Sequence, residues 1–377
     1  MNIKNYKSGT YKKQYNYSSF TPSKINMEWT WDDSKINTLL SEANKKLGEL
    51  NAFSLSIPDI DIFISMHKAK EATTSSKIEG TRTEIADALM KEEEVNPEKK
   101  DDWKEVQNYI SAMNYSIANL EKLPLSNRLI KRAHQQLMQG VRGKHKLPGE
   151  YRKSQNWIGG ATISDAVFIP PHHNEIDDLM SDLEKFLNNK HINVPHLIRI
   201  AIIHYQFETI HPFLDGNGRI GRLLITLYLV TEKILEMPTL YLSDFFERNK
   251  SLYYDNLNFT RTSNKLDQWI KFFLVAVLET SENGINTFRK ILKLREKIES
   301  EKLIKLGRRI PNAKSLMKIL FSNPIITTKS VSSAINLTIR PSNELIKCFV
   351  KIGILKEITG FKRNRVFIFE DYLKLFR

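Results

Sequence analysis

Apolar residues recur at helical spacing over most of the first 285 residues. Ile36, Leu39, Leu40 and Ala43 fall at i, i+3, i+4 and i+7, one face of a helix beginning near Asp32. A second helical stretch runs from Ile60 to Ile78 and stops at Glu79-Gly80, where glycine is the natural terminator. The same period returns in 102–121, 126–138 and 174–188, in the strongly apolar His196–Ile210 and Gly221–Ile234, and over roughly 264–283. It breaks at GEYRKSQNWIGGATISDAVFIPPHH. There Thr162-Ile163 and Val167-Phe168-Ile169 alternate around Ser164-Asp165, which predicts a short β-hairpin ended by Pro170-Pro171.

The two ends differ from this body. Residues 1–25 are rich in Tyr, Lys, Ser and Asn without any period, so a loosely ordered arm is expected. Residues 311–321, Thr328–Ile335 and Ser342–Ile352 read as helices, the last two separated by the polar turn Asn336-Leu337-Thr338. ILKEIT and RVFIFE then alternate like strands around GFKRN. Helix, helix–turn–helix and basic hairpin is the order of a winged helix. The expected architecture is mainly α: a flexible arm (1–25), an N-terminal helical region (26–110), a helical core with one small hairpin (111–285) and a basic winged-helix-like domain (286–377).

Composition adds little to this except in the placement of charge. With 41% hydrophobic and 27% charged residues, the 377-residue chain is an ordinary globular one with room for two domains. No apolar run is long enough to span a membrane, and the polar N-terminus does not read as a signal peptide. The single cysteine, Cys348, reads as a small buried hydrophobe. These features point to the cytoplasm. The net charge is +14, and from Lys290 onward 20 Lys and Arg face 7 Asp and Glu, a net of +13. A balanced body with a basic appendage points to an acidic partner for the appendage, either nucleic acid or protein.

The sharpest chemistry lies in His211-Pro-Phe-Leu-Asp-Gly-Asn-Gly-Arg-Ile-Gly-Arg222. Glycines around Asn217 let backbone approach a ligand closely, and the apolar run after Arg222 makes this turn the start of a helix, an anion site. Arg219 and Arg222 are three residues apart on one side of that helix and can fork onto phosphate oxygens. Two arginines in a first turn run against the helix dipole, so a purely structural account leaves them unexplained. Asp215 offers a hard oxygen to Mg²⁺, and His211 can take a proton from an attacking hydroxyl. The residues alone describe phosphoryl or nucleotidyl transfer.

This segment resembles the Fic family signature, His-x-Phe-x-Asp/Glu-Gly-Asn-Gly-Arg-x-x-Arg, at every fixed position. The resemblance implies a Fic helical core, with the 162–169 hairpin as its flap, that transfers AMP from ATP to a Tyr, Thr or Ser hydroxyl of a target protein. It implies His211 as base, Phe213 as loop anchor and Asp215 as Mg²⁺ ligand. Nucleotide contacts would come from Gly216, Asn217, Gly218, Arg219, Ile220, Gly221 and Arg222, with Tyr254 bordering the nucleotide. Thr162, Ile163, Val167 and Phe168 of the flap would dock the target by strand addition. The complete Gly-Arg-x-x-Arg half of the motif favours AMP over phosphate as the transferred group. Transfer of another nucleotide, phosphocholine or phosphate is the first alternative, and a nucleotide-sensing DNA-binding regulator is the second.

Ser75-Ser76-Lys77-Ile78-Glu79-Gly80 resembles the inhibitory motif of one class of these enzymes. The resemblance implies that Glu79 pairs with Arg222 in a bidentate bridge and occupies the place of a phosphate. Ser75, one turn earlier, would fix its orientation. In some relatives the same Glu helps remove AMP, and dimerisation accompanies inhibition.

Overall fold

The computed structural model describes residues 1–140, 145–360 and 364–376. Residues 361–363, at the tip of the predicted GFKRN hairpin, lie outside them. The N-terminus is not the loose arm expected. It forms a hairpin of β1 (Gly9–Lys13) and β2 (Ser18–Pro22), paired antiparallel with Tyr11 opposite Phe20. Ile3, Tyr6, Phe20 and Ile25 are buried against the body. These apolar anchors are too irregularly spaced for a period, yet each buries enough surface to hold the segment down.

Most of the longer helices fall where the apolar period places them. The body runs α1 (Ser34–Leu55), α2 (Ile60–Ile78), α3 (Ile85–Leu89), α4 (Lys100–Asn119), α5 (Asn127–Leu137), α6 (Ile176–Asn188), α7 (His196–Ile210), α8 (Asn217–Thr231), α9 (Ser243–Arg248), α10 (Lys250–Ser263) and α11 (Leu266–Lys297). Asp33 caps α1 by accepting from the Lys35 and Ile36 amides. Helix α7 is apolar nearly all round and buried from Leu197 through Ile210, which makes it the axis on which the core is built. Helices α6, α8 and α11 pack around it. Helix α11 continues past the expected domain boundary at 285.

The C-terminal unit contains α12 (Ile310–Ser322), β3 (Ile325–Thr327), α13 (Thr328–Ala334), α14 (Ile339–Lys351), β4 (Lys356–Glu357), β5 (Val366–Ile368) and α15 (Glu370–Leu373). Its strands form an antiparallel sheet in the order β3-β5-β4. Strand β3 is three residues long, too short to show a period. This unit rests on α2: Phe63 meets Phe321 edge-on at 5.5 Å, and Ser65 Oγ donates to the Ser322 carbonyl at 2.9 Å.

The predicted hairpin over 162–169 does not form as two paired strands. Ile163–Asp165 is a 3₁₀ turn, closed by Asp165 accepting from the Ala161 and Thr162 amides. A single antiparallel bridge joins Ile158 to Phe168, and Gly159 and Gly160, both at positive φ, turn the chain. The alternation does not become a hairpin because the partner of Phe168 is Ile158, beyond Thr162 and Ile163. No described helix is long and apolar enough to cross a membrane.

Candidate active site

Helix α7 delivers His211 as its C-terminal cap, at a left-handed φ of 51°. A histidine holds that conformation only where its surroundings enforce it. Arg152 Nε donates to the His211 carbonyl at 3.0 Å, and further guanidinium nitrogens reach the carbonyls of Ser154 and Pro171. Asn156 Nδ2 donates to the His211 and Phe213 carbonyls at 3.4 and 2.9 Å. Two polar side chains thus staple the flap segment to the loop.

The loop between α7 and α8 is folded by its own residues. Phe213 is fully buried and stacks on His134, with ring centroids 3.8 Å apart and planes within 6°. Asn217 Oδ1 accepts from the Phe213 amide and its Nδ2 donates to the Phe213 carbonyl, both at 2.8 Å. Its side chain therefore holds the loop, leaving only its backbone N–H for a ligand. Gly216, at φ 76°, caps α8, and a Cβ there would press on Leu137 and Met138. The helix begins at Asn217, not at Gly221, so Gly218 and Arg219 lie in its first turn. Ile220 is buried, and Gly221 lies against the Glu208 carboxyl so closely that a Cβ would collide with it. Neither presents a side chain to a ligand.

Arg222 is the most enclosed cation of the site, its side chain 1% exposed. Its Nη2 lies 2.6 Å from Glu79 Oε1 and donates to the Ser75 carbonyl at 2.9 Å, and its Nε donates to Ser75 Oγ at 2.8 Å. The contact with Glu79 is through one oxygen, not the bidentate bridge expected, because Ser75 takes Nε and shares Nη2. Ser75 thus holds the arginine rather than the glutamate. The Glu79 carboxylate also lies against the first turn of α8: a Cβ on Gly218 would collide with Oε1. An anion already stands where helix N-terminus and guanidinium converge. Lys250 Nζ donates to the Ile78 carbonyl at 2.6 Å and fixes the end of α2 that presents Glu79.

The electrostatics follow from burial and these neighbours. Burial works against the Glu79 charge, but Arg222 and then Arg219 hold the carboxyl below its ordinary range. Burial, then Arg261 and Arg152, push His211 down to about 3, against Glu79 and the Glu208 carbonyl. The imidazole is neutral, the form a base requires, and its Nδ1 is buried with no hydrogen-bond partner. Burial, with Glu79 adding to it, pushes the Glu208 carboxyl up to about 7 against the pull of Arg222.

Asp215 is exposed; its Oδ1 accepts from the Gly216 amide at 2.6 Å and lies 3.5 Å from Arg219 Nη2. Arg219 Nη1 donates to Glu105 at 3.2 Å. A cleft opens beside Asp215 and Arg219, bordered by Asn108, Leu137 and Met138. Of the two tyrosines, Tyr253 is buried and meets His204 Nε2 at 2.9 Å, so it belongs to the core. Tyr254 is 40% exposed, and burial and then Glu79 raise its phenol. In the flap, Val167 is 70% exposed, whereas Phe168 is buried beneath the Arg261 guanidinium, 4.0 Å from its ring centroid. Phe168 anchors the flap and cannot receive a target.

Arg152, Asn156, Arg261, His134 and Glu208 belong to the site, although no motif or period marks them in the sequence. Residues 37–118 match the Fic/DOC family N-terminal model and residues 124–229 the Fic/DOC family model. This chain carries both domains of the Fic/DOC family. A protein adenylyltransferase Fic of Drosophila erecta is 34% identical over 135 residues, covering 34% of this chain and 25% of that protein; the chain thus spans only about a quarter of the length of that relative. The crystal structure of a Fic family protein from Desulfovibrio desulfuricans G20 superposes over 90% of this chain and 96% of its own, with a TM-score of 0.56 at 19% identity. A Fic domain containing signaling protein from Bacteroides thetaiotaomicron VPI-5482 covers 67% of this chain and 95% of its own at 0.51 and 19%. These neighbours carry the fold. His211 and Arg222 lie in the Fic domain and Ser75 and Glu79 in the Fic N-terminal domain, so the Glu79–Arg222 pair joins the two.

Proposed function

We propose that this chain transfers AMP from ATP to a hydroxyl of a target protein, and that Glu79 restrains the reaction. The observation that carries this reading is the Glu79 carboxylate itself: it sits on Arg222 and on the first turn of α8, a place built for an anion, next to a neutral His211. A triphosphate in the same place takes Arg222 from Glu79. His211 accepts the hydroxyl proton, the oxygen attacks the α-phosphorus, the bond to the β-phosphate breaks and pyrophosphate leaves. Most of the acceleration comes from positioning and from charge fixed in advance. The negative phosphates also counter the effect of Arg152 and Arg261 on His211, which raises its basicity when substrate is present.

One exposed carboxylate at the mouth of an anion site suits Mg²⁺, which takes its remaining ligands from phosphates and water. Asp215 would hold the ion, which would neutralise charge developing on the departing pyrophosphate. Tyr254 borders the nucleotide, and the exposed Val167 side of the flap faces the target. Release of AMP by the reverse use of Glu79 is consistent with its place beside His211.

Purified wild-type protein, Glu79→Gly and Glu79→Gly/His211→Ala are incubated with Mg²⁺ and α-labelled ATP. Label incorporated by the single variant and lost in the double one supports the reading. Silence in all three, repeated with γ-labelled ATP and with other labelled nucleotides, rejects it.

A second reading concerns the basic C-terminal unit, which has the element order of a winged helix. Lys302, Lys305, Arg309 and Lys351 line a groove along α14, a surface suited to DNA phosphates. A shift of duplex DNA that weakens steeply with salt supports it; its absence at low salt leaves the unit to protein contact.

A further inference from the structure

Residues 1–25 carry five lysines and no acidic residue, and they fold directly against the flap. The Phe20 amide donates to the Ile169 carbonyl at 2.9 Å, and Tyr17 Oη donates to Gln155 Oε1 at 3.4 Å. Phe20 lies 5.8 Å from Phe168, and Tyr11 lies edge-on to Phe20 at 5.1 Å. The hairpin, the flap and the loop are therefore one continuous construction, since Asn156 and Arg152 bind that flap to His211 and Phe213.

Its outer surface is unusually apolar for a lysine-rich segment. Of the thirteen exposed large hydrophobic residues among the described ones, four fall on these two short stretches: Tyr11 (57%), Tyr15 (99%), Trp157 (40%) and Val167 (70%). Scattered exposed hydrophobics need no explanation, but a group on adjoining elements marks an interaction surface. Aromatics that expose one polar atom and one apolar face are also the residues that anchor interfaces. Lys7 and Lys13 are exposed and form no ion pair among the described residues, whereas Lys12 is held by Glu175. Free positive charge beside exposed aromatics selects an acidic partner, and a surface spread over two adjoining elements suits an extended one.

We propose that the β1–β2 hairpin and the flap at 157–168 form one docking surface for an acidic, extended segment of the protein whose hydroxyl is modified. The inference rests on the transfer reading for its purpose, but not for its test. Aromatic contacts from Tyr11, Tyr15 and Trp157 hold the segment against the flap edge, and Lys7 and Lys13 choose its charge. The hydroxyl to be modified then lies toward His211, on the side where Asn156 joins the loop.

The test uses the full chain and two random copolymers, one of Glu and Tyr and one of Lys and Tyr. Tryptophan emission is followed during titration, with Trp157→Phe isolating the contribution of Trp157. The acidic copolymer is expected to give a saturating change from Trp157, and the basic one none. In Lys7→Glu/Lys13→Glu, with an unchanged melting temperature, the midpoint moves about tenfold higher. A flat titration, or equal response to both copolymers, overturns the docking surface whatever the labelling assay shows. The Glu79→Gly variant is then given α-labelled ATP with each copolymer. Selective labelling of the acidic one extends the proposal to catalysis. Intact docking with no label on any acceptor counts against the transfer reading and leaves the surface standing.

Discussion

Glu79 Oε1 lies 2.6 Å from Arg222 Nη2, while Ser75 occupies the Nε and shares Nη2 of the same guanidinium. The two contacts are not equivalent. Ser75 is neutral and fully buried; it satisfies donors that a phosphate would not need. Glu79 is a charge standing in the place of a charge. Replacing Glu79 with Gly is therefore expected to raise transfer by at least about tenfold, equal to ~1.4 kcal/mol of inhibition released. Glu79→Gln, which keeps the size and loses the charge, should fall between wild type and Glu79→Gly. Ser75→Ala should not activate: it strips a buried guanidinium of a partner and should lower both the melting temperature and the activity of the Glu79→Gly background. Initial rates with α-labelled ATP decide; a Ser75→Ala variant as active as Glu79→Gly would assign the restraint to the wrong residue.

The second expectation concerns pH. His211 is held down to about 3 by burial, Arg261 and Arg152, so the free enzyme carries a neutral base throughout the neutral range. In the Glu79→Gly background one opposing negative charge is gone and the imidazole stays neutral still further into acid. The kcat/KM for ATP, which reports free enzyme, should show no break near 6.5 between pH 5 and 8. An acid limb with a midpoint near 6.5 that survives Glu208→Gln, with ATP supplied as its Mg²⁺ complex, would mean that His211 is solvated like an ordinary histidine, and the depressing contacts of Arg261 and Arg152 would have to be absent in solution.

Much of this site could be read because its central motif is contiguous: His211 to Arg222 is one turn and the start of one helix, and residue type and spacing carry its chemistry. Helix α7 was equally legible, since an apolar run without a polar face must be buried. What escaped notice arrives from a distance. Arg152 and Asn156 reach the His211 carbonyl from 59 and 55 residues away, and Arg261 packs on Phe168; a buried polar residue in a loop has no period to betray it. The N-terminal hairpin offered a weak signal, Tyr, Thr and Phe on either side of Asn16, which β-propensity alone favours. The flap failed because a single bridge and a 3₁₀ turn can produce the same alternation as paired strands.

Glu208 makes a third expectation, for stability. Its carboxyl is pushed up to about 7 by burial and by Glu79, its Oε1 has no hydrogen-bond partner, and Gly221 leaves just the room it needs. The folded state keeps this proton to about pH 7, whereas an unfolded glutamate releases it near 4.5. Between those values the folded state binds more protons, so raising the pH lowers stability, by a total on the order of 3 kcal/mol above pH 7. Glu208→Gln cannot titrate. The melting temperature of the variant minus that of wild type should therefore rise from pH 4.5 to 7 and level off above. Buried His67, His134 and His204, all depressed, impose the opposite trend on both proteins and cancel in the difference. A pH-independent difference would show that Glu208 is solvated or paired in solution.

The last expectation follows from α2 having two neighbours. Its C-terminal end carries Ser75 and Glu79 to Arg222, and its N-terminal half is gripped by the C-terminal unit through Phe63–Phe321, Ser65–Ser322 and the ring of His67, 5.2 Å from Phe376. Asp59, just before the helix, meets Lys318 at 3.4 Å. A rigid helix transmits a shift at one end to the other, so loosening the grip should loosen the restraint. Phe321 also packs on Phe369 and Tyr372, and Phe321→Ala should cost about 3–5 kcal/mol through the cavity it leaves. Phe321→Leu is the gentler test. At a temperature where circular dichroism shows the variant still folded, it should raise labelling above wild type when Glu79 is present and add nothing in the Glu79→Gly background, the non-additivity expected of residues acting on one element. Equal relative effects in both backgrounds would place Phe321 outside the restraint and make its contact with Phe63 purely structural.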